Sequence, residues 1–226
     1  AYQEETRIAG VVSGIRRHVE DVIVVNDGST DATARMAREA GAVVLEHDIN
    51  KGKGVALETG FSYAHKKGYD AVITMDADGQ HHPEDISLFI EEFSRSGAAV
   101  IIGNRMDRAA DMPFIRKLTN RFMSRLLSRE MGQEAPDTQS GFRLYSAEVI
   151  KRFRPGSSGF AAESESLLLF AGKGIKIAWV PIKVIYGDEK SAIHPFMDTV
   201  RFFRMLGRHR KKMARSTLGG RTERAE

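Results

Sequence analysis

The 226-residue sequence contains no cysteine, which excludes disulfide frameworks, thiolate zinc sites and cysteine nucleophiles. No run approaches the roughly 18 apolar residues needed to cross a bilayer. The opening AYQEETRIAG has neither the basic start nor the apolar centre of a signal peptide. Membrane spanning and visible export are therefore not expected. Two glycine-rich nucleotide signatures are also missing. In Lys51-Gly52-Lys53-Gly54, Leu57 occupies the place of the third glycine of G-x-G-x-x-G, and Lys53 is followed by glycine instead of the Ser or Thr of a P-loop. There is no G-x-S-x-G elbow, and no H-x-x-x-H or H-E-x-x-H spacing; the adjacent His81 and His82 point apart.

What is present is the composition of a soluble globular protein, 42% hydrophobic and 28% charged with only 6 prolines. The length suits one large domain or a domain with an appendage. The net charge of +4 is uneven: residues 198–226 hold 9 Lys and Arg against 3 Asp and Glu, and the remainder 25 against 27. Short apolar runs at 22–25, 42–45, 71–75 and 98–102 alternate with amphipathic stretches, the pattern of a mostly parallel sheet with helical crossovers. Helices are expected over DATARMAREA, GVALETGFSYAHKKG and PEDISLFIEEFSRSG, then over a basic-apolar stretch at about 112–131. A polar loop follows, then the strand-like IKIAWVPIKVIYG. Residues 1–200 read as one domain and 201–226 as a basic amphipathic tail.

Chemistry concentrates where apolar runs end. Asp76 and Asp78 follow AVITM, at the carboxyl end of a buried strand, where open α/β sheets place ligands. Two carboxylates one residue apart can share a hard divalent cation, with the Gln80 amide adding an oxygen; they can equally cap the helix that starts near Pro83. Ser29 to Asp31 are explained by capping alone. Asp27, before the turn glycine, can accept hydrogen bonds from a base or ribose.

These blocks resemble family-2 glycosyltransferases of the GT-A fold, in particular the polyprenyl-phosphate mannosyl/glucosyltransferase-like branch. The similarity runs in order over nearly residues 1–200, through AYQEE, VVNDGSTDAT, NKGKGVALETGF, MDADGQHHPEDI, GNR, DTQSGFRLYSAEVI, GFAAESE and VPIKVIYGDEKSAIHPFMDTVRFF. The resemblance implies an α/β fold with a mostly parallel central sheet flanked by helices. It also implies an interior strand ahead of AYQEE that this chain lacks, leaving neighbouring strand edges unpaired.

By the same resemblance, Ala1, Tyr2, Glu4, Asn26, Asp27, Lys53 and Asp76 hold the donor, while Asp76, Asp78 and Gln80 hold Mg²⁺ or Mn²⁺ against its diphosphate. Arg105, Arg116 or Arg121, and Lys190 receive phosphate charge. Asp78 is the catalytic anchor of the cation. Asp137, ahead of Glu163, is the general base if the acceptor is a hydroxyl. The implied reaction is inverting transfer of a hexose from a UDP- or GDP-linked sugar to a polyprenyl phosphate or related acceptor.

An enzyme of this kind is cytoplasmic and peripheral on the cytoplasmic face of an anionic membrane, with no nucleic acid partner. Arg201 to Arg215, interleaved with Phe202, Phe203, Met205 and Leu206, can meet lipid headgroups. Phe114, Ile115, Leu118, Phe122 and Leu126 offer a second apolar face that serves either a membrane or the core. The competing functions are a nucleotidyltransferase acting on a sugar phosphate and a basic nucleic-acid-binding module.

Overall fold

The structure is a computed structural model that describes residues 1–106, 114–152, 160–185, 202–204 and 206–207. Lys190 and the side chains of Arg116 and Glu163 lie outside the described residues. In chain order the elements are α1 (Ile8–Ile15), β1 (Ile23–Asp27), α2 (Thr33–Glu39), β2 (Val43–His47), α3 (Lys53–Lys67) and β3 (Ala71–Thr74). A 3-10 turn (Pro83–Asp85) leads to α4 (Ile86–Ser96), β4 (Val100–Asn104), α5 (Phe114–Met131), β5 (Arg143–Ser146), α6 (Ala147–Arg152), α7 (Phe160–Gly172) and β6 (Ile177–Pro181). Left-handed glycines end two crossover helices, Gly68 at φ 80° after α3 and Gly97 at φ 61° after α4, a conformation that costs a side-chain-bearing residue more.

The strands form two groups. β1 and β2 pair in parallel, Asp27 opposite His47, and a second sheet runs in the order β3-β5-β4-β6. In it β3, β4 and β6 point one way and β5 alone opposes them. β5 emerges from the expected polar loop; it carries no apolar run because its first residue is an arginine, only 1% exposed. A channel lined by Val22 to Val25 on one side and Ala71 to Thr74 on the other separates the two groups. Among the described residues no β-pairing joins the two groups.

Strand alternation builds the core. From β4, Val100 and Ile102 face a cluster with Phe61, Tyr145, Ile150, Leu167 and Phe170. Ile101, between them, faces the opposite cluster of Ile86, Phe89, Phe142, Leu144, Val180 and Ile182. Each such side chain contributes roughly 1.5–3 kcal/mol by leaving water, which fixes the strand tips where the polar residues project. Phe202 and Leu206 are buried against Met123, Leu127 and Leu168. Those two tail residues thus pack inward instead of meeting headgroups, and Phe203 stays half exposed.

Candidate active site

The tip of β1 is built by backbone proximity. Gly28 sits at φ 73°, and a Cβ there would lie 2.3 Å from the Ile49 carbonyl carbon, so the turn packs directly on the 49–50 backbone. Of Ser29 to Asp31, expected as helix caps, Asp31 Oδ1 accepts from the Thr33 amide at 3.0 Å at the start of α2, and the same segment with Thr33 also holds the first residues of the chain. The Gln3 amide donates to Ser29 Oγ at 3.0 Å, the Glu4 amide to Thr33 Oγ1 at 2.8 Å and the Glu5 amide to Asp31 Oδ2 at 3.2 Å. Ala1 lies along β1: its backbone nitrogen donates to the Val25 carbonyl at 2.8 Å, and the Asp27 amide donates to its carbonyl at 2.9 Å.

The Asp27 carboxylate is engaged inside the protein. Its Oδ1 meets His47 Nδ1 at 2.6 Å and accepts from the Lys51 amide at 2.9 Å, and Oδ2 accepts from the Gly52 amide at 2.8 Å. Burial pushes this carboxyl up, but the His47 bond and the two amides outweigh it and hold it below its ordinary value. Asn26 is also buried, with Oδ1 accepting from the Ser29 amide at 3.4 Å.

Beyond β3 the backbone presents Asp76, Asp78 and Gln80. Asp76 Oδ1 lies 2.6 Å from Lys53 Nζ, at the start of α3, and its Oδ2 is 3.7 Å from His81 Nε2. Enclosure raises its pKa; Lys53 and His81 oppose this and hold it far below the carboxylate range. Asp78 Oδ1 accepts from the Gln80 amide at 3.0 Å, which turns the Gln80 backbone back over the acid across Gly79 at φ 74°. Gly141 completes the cradle, since a Cβ there would lie 2.6 Å from Asp76 Oδ2 and 2.8 Å from Lys53 Nζ.

Among the described residues no three His, Cys, Asp or Glu side chains are already grouped for a metal. Two carboxylates and an amide oxygen nevertheless suit a hard cation that takes its other ligands from water and phosphate, as Mg²⁺ and Mn²⁺ do. Gly141, lacking a side chain, makes room for the Asp76 carboxylate and the Lys53 ammonium that meet beside it. The residues present fit the group.

Asp137, expected as the general base if the acceptor is a hydroxyl, is engaged inside the protein. It is fully buried and accepts five hydrogen bonds, from the Arg105 amide, Nε and Nη2, from Asn120 Nδ2 and from the Gln139 amide. The Arg105 fork is bidentate at 2.6 and 2.8 Å. Burial alone would raise the Asp137 pKa, but Arg105 and Asn120 keep it below its ordinary value. A carboxylate so surrounded is a poor proton acceptor. Arg105, expected to receive phosphate, spends two N–H groups here. Arg143 secures the same loop, donating to the Ser140 and Thr138 carbonyls at 2.7 and 3.1 Å and to Ser166 Oγ at 3.2 Å.

One cavity of about 1720 Å³ opens over the strand tips and continues into the channel. Ala1, Tyr2, Glu4, Asp27, Lys53, Asp76, Asp78, Gln80 and Arg105 all line it. Arg121 instead lines a smaller depression with Met106 and Arg125. His47 and Asn120 were missed by the sequence reading, since their partners lie 20 and 17 residues away.

The chain is 30% identical over 215 residues to UDP-N-acetylglucosamine--dolichyl-phosphate N-acetylglucosaminyltransferase of Methanococcus voltae, covering 85% of this chain and 86% of that one. It is 31% identical to dolichyl-phosphate hexose transferase of Haloferax volcanii, covering 86% and 84%. The fold matches a Mycobacterium tuberculosis glucosyl-3-phosphoglycerate synthase, solved with Mn²⁺, UDP-glucose and phosphoglyceric acid, at a TM-score of 0.72 and 21% identity over 92% of this chain and 77% of that one. This is the GT-A architecture expected from the sequence. With the family model described as Glycosyl transferase family 2 matching residues 1–154, the chain belongs to that family and is a glycosyltransferase.

Proposed function

We propose that this enzyme moves a hexose from a UDP- or GDP-linked donor to a polyprenyl phosphate, with inversion and in one in-line step. The convergence of Asp76, Asp78, Gln80 and Lys53 on one cavity carries the reading, and the dolichyl-phosphate transferases among its relatives support the acceptor class. Asp76, Asp78 and Gln80 hold Mg²⁺ or Mn²⁺; when bound, the ion supplies charge stabilisation to the departing diphosphate. Lys53 adds positive charge beside Asp76, and the Ala1, Tyr2 and Glu4 segment with the β1 tip flanks the nucleoside. An acceptor phosphate oxygen attacks the anomeric carbon, and the bond to the diphosphate oxygen breaks with its electron pair leaving on that oxygen. The attacking oxygen is already anionic, so no proton acceptor is required, which agrees with the saturation of Asp137.

A lipid acceptor calls for contact with a membrane. On α5, Leu118 and Phe122 are 58% and 52% exposed and lie one turn apart, on the side of the helix opposite Met123 and Leu127 in the core. Arg121, Arg125 and Arg129 are repeated along the same side. This apolar and basic ridge suits the anionic cytoplasmic face of a bilayer. No described helix is long and apolar enough to cross one.

The test is transfer from radiolabelled donors to polyprenyl phosphate with Mn²⁺. Release of UDP or GDP, and loss on the order of 100-fold in Asp78→Ala, are expected. Undiminished transfer in that variant would overturn the reading, as would pyrophosphate released from a nucleoside triphosphate.

A further inference from the structure

We infer that His47 is a positioning residue of the donor site, acting through Asp27 on the turn that delivers Lys53 to Asp76. The inference rests on the proposed function for its purpose, but its geometry stands independently. His47 closes β2 beside Asp27 at the end of β1, and both side chains are 6% exposed. Asp27 is held ionised and has no proton to give, so its 2.6 Å contact requires the proton to reside on His47 Nδ1.

The far side of the ring is also engaged. His47 Nε2 lies 2.9 Å from Thr59 Oγ1, which is 3.0 Å from the Val55 carbonyl one turn earlier in α3. The imidazole therefore ties the β1 tip to the body of α3. With Asp27 fixed in orientation, its two oxygens seat the Lys51 and Gly52 amides at 2.9 and 2.8 Å. Gly52 turns at φ 89° into the first residue of α3, Lys53, whose ammonium reaches Asp76 at 2.6 Å. Four consecutive links thus connect an imidazole on β2 to the carboxylate beyond β3. Without the Nδ1 donor, Asp27 is left with the two loop amides alone, and the register of Lys51 and Gly52 against β1 loosens.

Side-chain isosteres give the test its resolution. Asparagine places an N–H where Nδ1 stood, and leucine places none. Mn²⁺-dependent UDP or GDP binding to the full chain, measured by calorimetry, is expected to weaken roughly tenfold in His47→Leu, within the range for residues that orient ligating groups. It should be largely restored in His47→Asn. In nitrogen-15 spectra of the wild-type protein without nucleotide, His47 should carry its proton on Nδ1, and the Lys51 and Gly52 amides should shift in His47→Leu but far less in His47→Asn.

A proton on Nε2 alone, or Lys51 and Gly52 amides indifferent to His47→Leu, would overturn the inference. So would equal weakening in both variants, which marks mere packing. Should the wild-type protein bind neither nucleotide while the spectra behave as described, the proposed function fails and the link from His47 to Lys53 stands.

Discussion

Replacing Asp137 by asparagine preserves its shape and removes its charge, which makes the substitution a sharp test of what this residue does. In the structure the Asp137 side chain is 0% exposed and Arg105 9% exposed, joined by two N–H···O bonds at 2.6 and 2.8 Å. The variant leaves a guanidinium enclosed without its counter-charge, and the amide nitrogen confronts donors from Arg105 or Asn120. Breaking a buried pair from one side costs about 3–5 kcal/mol. For a chain of this size, a kilocalorie corresponds to roughly 2–4 °C in Tm, so thermal melting followed by circular dichroism should fall by about 6–20 °C. Arg105→Met should fall comparably. The double variant Asp137→Leu/Arg105→Met should be less destabilised than the sum of its two single changes, because it leaves no orphaned charge. A proton-accepting Asp137 predicts the opposite pattern: an unchanged Tm, a large loss of kcat and disappearance of the acid limb of the rate profile. That result would refute the structural role.

Other expectations follow from the same geometry. Gly141→Ala drives a methyl against Asp76 and Lys53 and should abolish Mn²⁺-dependent nucleotide binding while shifting Tm by no more than a few degrees; unaltered calorimetric affinity would contradict the cradle. Gly28→Ala meets the 49–50 backbone at a positive φ and should destabilise by at least about 2 kcal/mol in urea unfolding, since the backbone cannot swing aside as a side-chain end can. Asp27 and Asp137 both have folded pKa values depressed below 3.8. Their stabilisation is therefore complete above that unfolded value and is lost as pH falls through it toward the folded values. Urea midpoints should hold from neutrality to about pH 5 and drop below about pH 4; a midpoint that rises on acidification would contradict the sign.

Much of the architecture was legible because buried strands announce themselves as apolar runs, and β1 to β4 fall on the runs at 22–25, 42–45, 71–75 and 98–102, shifted by a residue or two. β5 was illegible because Arg143-Leu144-Tyr145-Ser146 lacks that pattern; its arginine is buried for the sake of carbonyls at 138 and 140. The helix α1 was likewise passed over, since its eight residues follow a polar segment without a capping side chain. At the site, the Asp-x-Asp pair stood out from its place at a strand end, whereas Lys53 entered only through the family resemblance. The work of Asp137 was not, because loop position suggests availability, whereas Arg105 and Asn120 approach it only through the fold. His47 gave no local signal at all: its significance lies in strand register, which pairs residue 47 with residue 27.

The separation of the strands into two ladders has a mechanical corollary. Asp27 stands on one ladder and Asp76 on the approach to the other, and no β-pairing among the described residues crosses between them. A nucleotide lying over both would act as a splint, and its occupancy should be felt as slower hydrogen exchange along the facing edges of β1 and β3, well below the atoms it touches.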